Sequence, residues 1–278
     1  MIIWLASYPK SGNTLLRKFL STYFFSKNGT FNFGLLKNIK QYPSADLFRQ
    51  RGIDVNNKHE VAKSHIKVQE FINYDKKIRF LKTHSSFVKM DGFSFSNLDN
   101  TAAVINIVRD PRDVVISYAH HNNQSIEQTV KMINDDYILA SNLKDSIPVY
   151  MGSWSFNYNS WKPFDEMKKY MLIKYEDLIE DKEKNFTKIL HFLKNVTHLD
   201  FEIDNKKIKR TLKEINFEKV KKMEEDIGFH EAKFDQNGKK IPFFRKGKSN
   251  DWKNTLDIKI KDLIESKCKK EMVELGYL

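Results

Sequence analysis

The sequence predicts an α/β fold, a parallel β-sheet of about four to five strands flanked by helices. Three observations predict it: apolar runs of strand length, helical periodicity in the segments between them, and turn residues at the junctions. Residues 2–8 (Ile-Ile-Trp-Leu-Ala-Ser-Tyr) form an apolar run that stops at Pro9, which has no N–H to continue a ladder. After Gly12, the apolar residues Leu15, Leu16, Phe19, Leu20, Tyr23 and Phe24 recur at helical spacing, with Arg17, Lys18 and Ser21 on the other face. Residues 78–83 and 102–108 read as two further buried strands, and the second breaks at Arg109-Asp110-Pro111, so a helix is expected from about Arg112. A fourth strand, residues 171–175, follows a helical stretch that holds Trp154 and Trp161. Helical patterns cover residues 182–193, 206–215, 218–227 and 256–275. Residues 228–250 show no periodicity, and long stretches of that kind in compact domains are often functional.

Composition narrows the class. Of 278 residues 40% are apolar and 13% aromatic, with 10 Gly and 6 Pro, which excludes collagen-like, low-complexity and mostly disordered chains. The length fits one large domain over residues 1–278. The lone Cys268 can form neither an internal disulfide nor a cysteine-rich zinc site, which suits a reducing compartment. The apolar stretch at residues 1–6 is too short for a membrane span and lacks the features of a signal peptide. A soluble, cytoplasmic protein with no membrane partner is therefore expected. The net charge of +12 means that the protein attracts anions, and nucleic acid, acidic membrane and phosphorylated metabolites all fit that balance.

Ser7-Tyr8-Pro9-Lys10-Ser11-Gly12-Asn13-Thr14 leads from a strand through a tight turn into a helix, the arrangement that aims free backbone N–H groups at a phosphate. Gly12 and Thr14 stand at the second glycine and the hydroxyl position of the nucleotide-triphosphatase loop. Ser7 replaces its first glycine, however, and Asn13 its lysine, which is found three places earlier as Lys10. Without a lysine opening the helix, the group that reaches the β- and γ-phosphates is missing, which disfavours ATP hydrolysis. On its own, this turn is equally compatible with a helix merely capped by Ser11.

Residues 8–14 resemble the 5′-phosphosulfate loop of the cytosolic-type sulfotransferase family. Val108-Arg109-Asp110-Pro111-Arg112-Asp113-Val114-Val115-Ile116-Ser117-Tyr118 is similar to that family's 3′-phosphate segment, and Arg245-Lys246-Gly247-Lys248-Ser249-Asn250-Asp251-Trp252-Lys253-Asn254 to its C-terminal basic loop. Leu81-Lys82-Thr83-His84 resembles the segment that carries its catalytic base. The resemblance implies a P-loop-nucleotide-kinase-like sulfotransferase fold. It also implies transfer of a sulfuryl group from 3′-phosphoadenosine 5′-phosphosulfate to a hydroxyl or amine of a small acceptor, with adenosine 3′,5′-bisphosphate as product and no metal. His84 would be the general base, Lys10 would neutralise the leaving phosphate, and Lys82 would face the transferring sulfuryl oxygens. The N–H groups of Ser11, Gly12, Asn13 and Thr14 would hold the 5′ end. Arg109, Ser117, Arg245 and Lys246 would grip the 3′-phosphate, with Gly247 allowing close approach, Tyr175 near the donor and Phe217 against its adenine. Phe217 fits an ordinary core helix equally well, and of the two places open to Trp154 and Trp161, the core and the acceptor pocket, the core is the expected one.

The chain also departs from the pattern. Leu15 stands where many relatives have an adenine-facing tryptophan, Asn250 replaces the second glycine of the basic loop, and Asp257 and Asp262 replace two residues of a dimerisation motif. The oligomeric state and the acceptor are therefore left open. His120-His121 has no metal-ligand spacing and is read as no metal site. A small-molecule kinase of the same fold is the alternative. A basic nucleic-acid-binding protein ranks last, because the cations cluster at nucleotide-like motifs and no groove-reading motif is present.

Overall fold

The computed structural model describes residues 1–136, 139–140, 147–234 and 237–278, with the backbone alone at 139–140. Its central sheet is built from β1 (Ile2–Ser7), β2 (Lys40–Gln41), β3 (Arg79–Thr83), β4 (Thr101–Val108) and β5 (Tyr170–Lys174), in the order β2-β3-β1-β4-β5 and parallel at every pairing. The register sets Ala6 beside Thr83, Ser7 beside Ile107 and Val108 beside Lys174. The carboxyl ends of the four long strands thus lie side by side, and the loops that carry Lys10, His84, Arg109 and Tyr175 leave from one edge. In an open α/β sheet that edge is where ligands bind.

β1 and β4 are buried along their whole length because both faces of the sheet are covered. Side chains alternate along a strand, so Ile3 and Leu5 face one layer with Leu16, Phe19, Phe186 and Leu190, while Ile2, Trp4 and Ala6 face another with Phe48, Phe95 and Trp161. The helix after the first turn, α1 (Asn13–Phe25), packs on the first layer through Phe19, whose ring stacks on Phe186 at 3.9 Å. A third cluster under the carboxyl edge joins Tyr8, Val108, Val114, Tyr118, Trp154, Ile264 and Met272. Among the described residues no helix is long and apolar enough to cross a membrane.

Most expected elements are present, with shifted ends. The sheet reaches five strands through β2, whose two residues are too few to show any period. The helix α2 (Lys58–Ile72) was not signalled; the side chain of Asn57 caps it by accepting from the N–H of Glu60 at 3.1 Å. β4 runs into α3 (Pro111–Asn122), with Pro at the first helical position and the Asp110 carboxylate accepting from Arg112 N–H. Tyr175 begins the helix α4 (Tyr175–Glu180) rather than ending β5, and Trp161 lies one residue beyond the helix Trp154–Ser160. The helix expected over residues 256–275 is split at Cys268 into Ile258–Lys267 and Lys269–Glu274. The described part of residues 228–250 forms an arm in which Lys233 pairs with Ile241 and Phe234 with Lys240 in antiparallel fashion. The buried carboxylate of Glu224, on the helix Phe217–Ile227, anchors this arm by accepting from Phe243 and Phe244 N–H, each at 2.9 Å.

Phe186 is fully buried between α1 and the sheet. Phe186→Ala should lower the unfolding free energy by about 3–5 kcal/mol in a chemical denaturation experiment; a loss below about 1 kcal/mol would mean that this layer does not hold α1 in place.

Candidate active site

The first turn is shaped by two residues in the left-handed region, Lys10 at φ 67° and Gly12 at φ 104°. Gly12 is required twice over, since a Cβ there would also lie 2.5 Å from Cδ2 of Tyr175. Helix geometry leaves the N–H groups of Gly12, Asn13 and Thr14 without an intrahelical acceptor. The N–H of Ser11 instead bonds Tyr8 O at 3.3 Å, so the expected four-amide cradle reduces to three. The Ser11 hydroxyl is buried behind the loop and has no partner. Asn13, at the position of a triphosphatase lysine, turns its amide inward to Leu5 O (2.8 Å) and Ser7 Oγ (3.1 Å) and fastens the turn to the strand.

Arg109 leaves the end of β4 and crosses between two loops. Its Nη1 donates to Lys10 O at 3.2 Å and its Nη2 to Lys248 O at 2.9 Å, while the guanidinium lies 4.6 Å over the Tyr175 ring. Asp113, one turn further along α3, completes the junction: its carboxylate accepts from Asn250 N–H (2.7 Å) and Trp252 N–H (3.0 Å) and sits 3.5 Å from Arg109 Nη2. Asn250 adopts φ 63°, which asparagine tolerates, so the loop keeps its turn without the second glycine. A Cβ on Gly247 would lie 2.4 Å from Cδ2 of Phe217, which presses this loop onto the Phe217 ring. Arg245 and Lys246 both pair with Asp251, at 3.0 and 2.7 Å. Arg109 was expected to grip a phosphate, yet its two terminal nitrogens are engaged by the loops and only Nε lacks a partner. Ser117, Arg245 and Lys246 are the more open groups at this end.

His84 follows β3, and its Nδ1 lies 2.8 Å from Ser7 O. A carbonyl can only accept, so Nδ1 carries the proton and Nε2 keeps its lone pair. Burial, and after it the nearby Lys82, pushes the His84 pKa down to about 3, which keeps the ring neutral at pH 7. The backbone around it is fixed from outside the site: Trp161 Nε1 donates to Ser85 O and Asn157 Nδ2 to His84 O, both at 3.1 Å. Trp154 Nε1 holds Arg109 O at 3.1 Å. Both tryptophans are core residues, as expected, and each also braces a site loop.

Lys82 is buried 3.7 Å from Glu231, whose other oxygen lies 2.5 Å from Arg17 Nη1. Burial works against the Glu231 carboxylate, but Lys82 and Arg17 together hold its pKa down to about 2. Lys10 has its ammonium 4.2 Å over the Phe243 ring, and burial followed by repulsion from Lys82 lowers its pKa to about 7.

These groups share one cleft of about 1370 Å³ at the carboxyl edge. Every expected site residue lines it except Ser11, which lies behind the turn. Sequence reasoning missed Arg17, Lys18, His121, Lys233 and Glu231, which also line it. Arg17, Lys18 and Ser21, placed by periodicity on the face of α1 away from the core, are all buried, because the Phe33–Asn38 segment, Ile39, Glu231 and Phe244 close over that face. Among the described residues no three His, Cys, Asp or Glu side chains are grouped as a metal would need.

Comparison with known proteins agrees with this geometry. A family model described as a sulfotransferase domain matches residues 2–276. Sulfotransferase 2A1 of Macaca fascicularis is 27% identical over 69% of this chain and 64% of its own length, so the match spans less than two thirds of that relative. Cytosolic sulfotransferase 1 of Danio rerio is 24% identical over 97% of this chain and 82% of its own. Retinol dehydratase, solved with retinol and PAP, shares the fold at TM-score 0.63 and 18% identity, covering 98% of this chain and 81% of that one. With the family pattern running through nearly every residue, and the strand order and carboxyl-edge cleft in accord with it, the chain belongs to the sulfotransferase family.

Proposed function

We propose that the protein transfers a sulfuryl group from 3′-phosphoadenosine 5′-phosphosulfate to a hydroxyl or amine of a small acceptor. The observation that carries this reading is the junction at Arg109, which brings two cationic loops into one cleft with a neutral histidine. The residues fit a nucleotide that is anionic at both ends. At one end stand the free N–H groups of Gly12, Asn13 and Thr14 with Lys10; at the other stand Arg245, Lys246, Ser117 and the unpartnered Nε of Arg109. Asp251 occupies the two outer cations and would yield them to a phosphate. Tyr175 backs the first turn, and Phe217 and Gly247, packed on one another, line the same cleft.

When bound, the donor supplies the sulfuryl group and departs as adenosine 3′,5′-bisphosphate. His84 Nε2 takes the proton of the acceptor hydroxyl, its ring aimed by the bond from Nδ1 to Ser7 O. Lys10 stabilises the charge that collects on the leaving phosphate, and Lys82, held by Glu231, faces the oxygens in transfer. No bound metal is required of these residues, since their cations supply the positive charge. The kinase alternative finds less support, because Asn13 stands at the position of the needed lysine and its side chain is turned into the fold. The lone buried Cys268 suits a cytoplasmic setting, and loops from both ends of the chain meeting at one edge suit a single domain over residues 1–278.

A labelled-donor transfer assay over a panel of hydroxyl and amine acceptors tests the reading. His84→Ala should lower kcat by roughly 10²–10⁴-fold and Lys10→Met by roughly 10²–10³-fold, with product affinity affected less; undiminished turnover in both variants would remove these assignments. Asp113→Ala frees the backbone at residues 250 and 252 and should weaken adenosine 3′,5′-bisphosphate binding by about tenfold or more, measured calorimetrically, with a smaller effect for Asp113→Asn. Lys10 is charged below its pKa of about 7, and a bound phosphate raises that value. Above pH 7, where the ligand phosphates are already fully ionised, product affinity should therefore fall as pH rises, with proton uptake on binding at pH 8.5 that is reduced in Lys10→Met. Uptake equal in the two proteins would show that Lys10 does not face the phosphate.

A further inference from the structure

Lys18 has no task in the reading above. It lies in the second turn of α1, 3% exposed, on the wall of the cleft. Its neighbour Arg17 is held within the protein through its terminal nitrogens, by Glu231 and by the carbonyls of Leu36 and Ile39, with its Nε alone left unpartnered. Lys18 has no such partner: among the described residues no carboxylate or carbonyl meets its ammonium, which lies 4.8 Å from the centroid of the Phe244 ring. Lys182, in the same wall, adds repulsion, and burial with that repulsion lowers the Lys18 pKa to about 7. A buried ammonium held by a single aromatic face is a costly arrangement unless a ligand completes its surroundings.

The surroundings indicate which ligand. Leu15 stands one turn before Lys18 on the same face of α1, and Phe244 leads to Phe217, 6.5 Å away between centroids, which in turn packs on Gly247. Ile179 and Ile215 line the same cleft. These side chains offer a phosphate no donors, whereas the turn at Gly12 and the Arg245-Lys246 loop, which line the same cleft, offer several. An apolar surface that carries a buried ammonium suits a flat heteroaromatic ring with lone pairs on its edge.

We propose that Lys18 recognises the base of the nucleotide donor, donating a hydrogen bond to a ring nitrogen of the purine from the wall where Leu15 provides no aromatic surface. This rests on the donor reading given above.

The test compares two ligands by calorimetry: adenosine 3′,5′-bisphosphate, and 1-deoxyribose 3,5-bisphosphate, which keeps both phosphates but has no base. Lys18→Met should bind the first roughly tenfold to a hundredfold more weakly than the natural chain and the second equally well. An equal loss for both ligands would make Lys18 a phosphate contact, and no loss for either would make it a packing residue; each overturns the proposal. A measurement on the unaltered protein covers the case in which the variant does not fold. Limited amine acylation at pH 7.5, mapped by peptide mass spectrometry, should find Lys18 shielded by the adenosine compound and not by the baseless one. Equal shielding by both, or by neither while the adenosine compound binds, contradicts the proposal. Failure of the unaltered protein to bind either ligand would instead overturn the donor reading on which it stands.

Discussion

Arg109 donates to two carbonyls that lie 99 and 139 residues away in the chain, Lys10 O in the first turn and Lys248 O near the end. A planar guanidinium at the end of a buried central strand can do this because its position is fixed on several sides. Trp154 holds its carbonyl, Tyr175 lies under its face, and Asp113 braces both the guanidinium and the returning loop. The parallel register supplies the rest, since strands ending side by side release their loops at one edge. A shift of this junction would separate the two cationic loops, and neither could hold a doubly anionic nucleotide alone.

Gathering cations at one edge carries an electrostatic cost that the fold meets with few carboxylates. Glu231 sits between Arg17 and Lys82, and Asp251 between Arg245 and Lys246. Lys10 and Lys18 have aromatic rings instead, and both are driven toward neutrality near pH 7. Burial first, and the Lys82 charge after it, keep His84 unprotonated, the state that a proton acceptor needs. Anionic ligands are thus attracted by a site whose own charge is held partly in check until they arrive.

Much of this was legible in the sequence, because burial on both faces writes continuous apolar runs for β1 and β4, and Pro9 and Pro111 mark where the chain turns. The site motifs sit at those turns, so reading the strands located the loops. What stayed hidden depends on tertiary placement. β2 is two residues long and carries no pattern, and Arg17 and Lys18 read as a solvated face until distant segments cover them. Glu231 lies in an aperiodic arm whose path is set by Glu224 and an aromatic cluster at Phe229, Phe243 and Phe244. The indole N–H groups of Trp154 and Trp161 could be assigned to the core from their size, but not to the particular carbonyls they hold.

The central claim is that one cleft grips a nucleotide at both ends through loops joined at Arg109. Calorimetry of adenosine 3′,5′-bisphosphate against its two half-ligands, adenosine 5′-monophosphate and adenosine 3′-monophosphate, tests it most directly. The account predicts that the bisphosphate binds at least about a hundredfold more tightly than either monophosphate, since each end adds charge-assisted contacts to the other. Equal affinity for the bisphosphate and one monophosphate would contradict it, because one of the two loops would then be making no contribution.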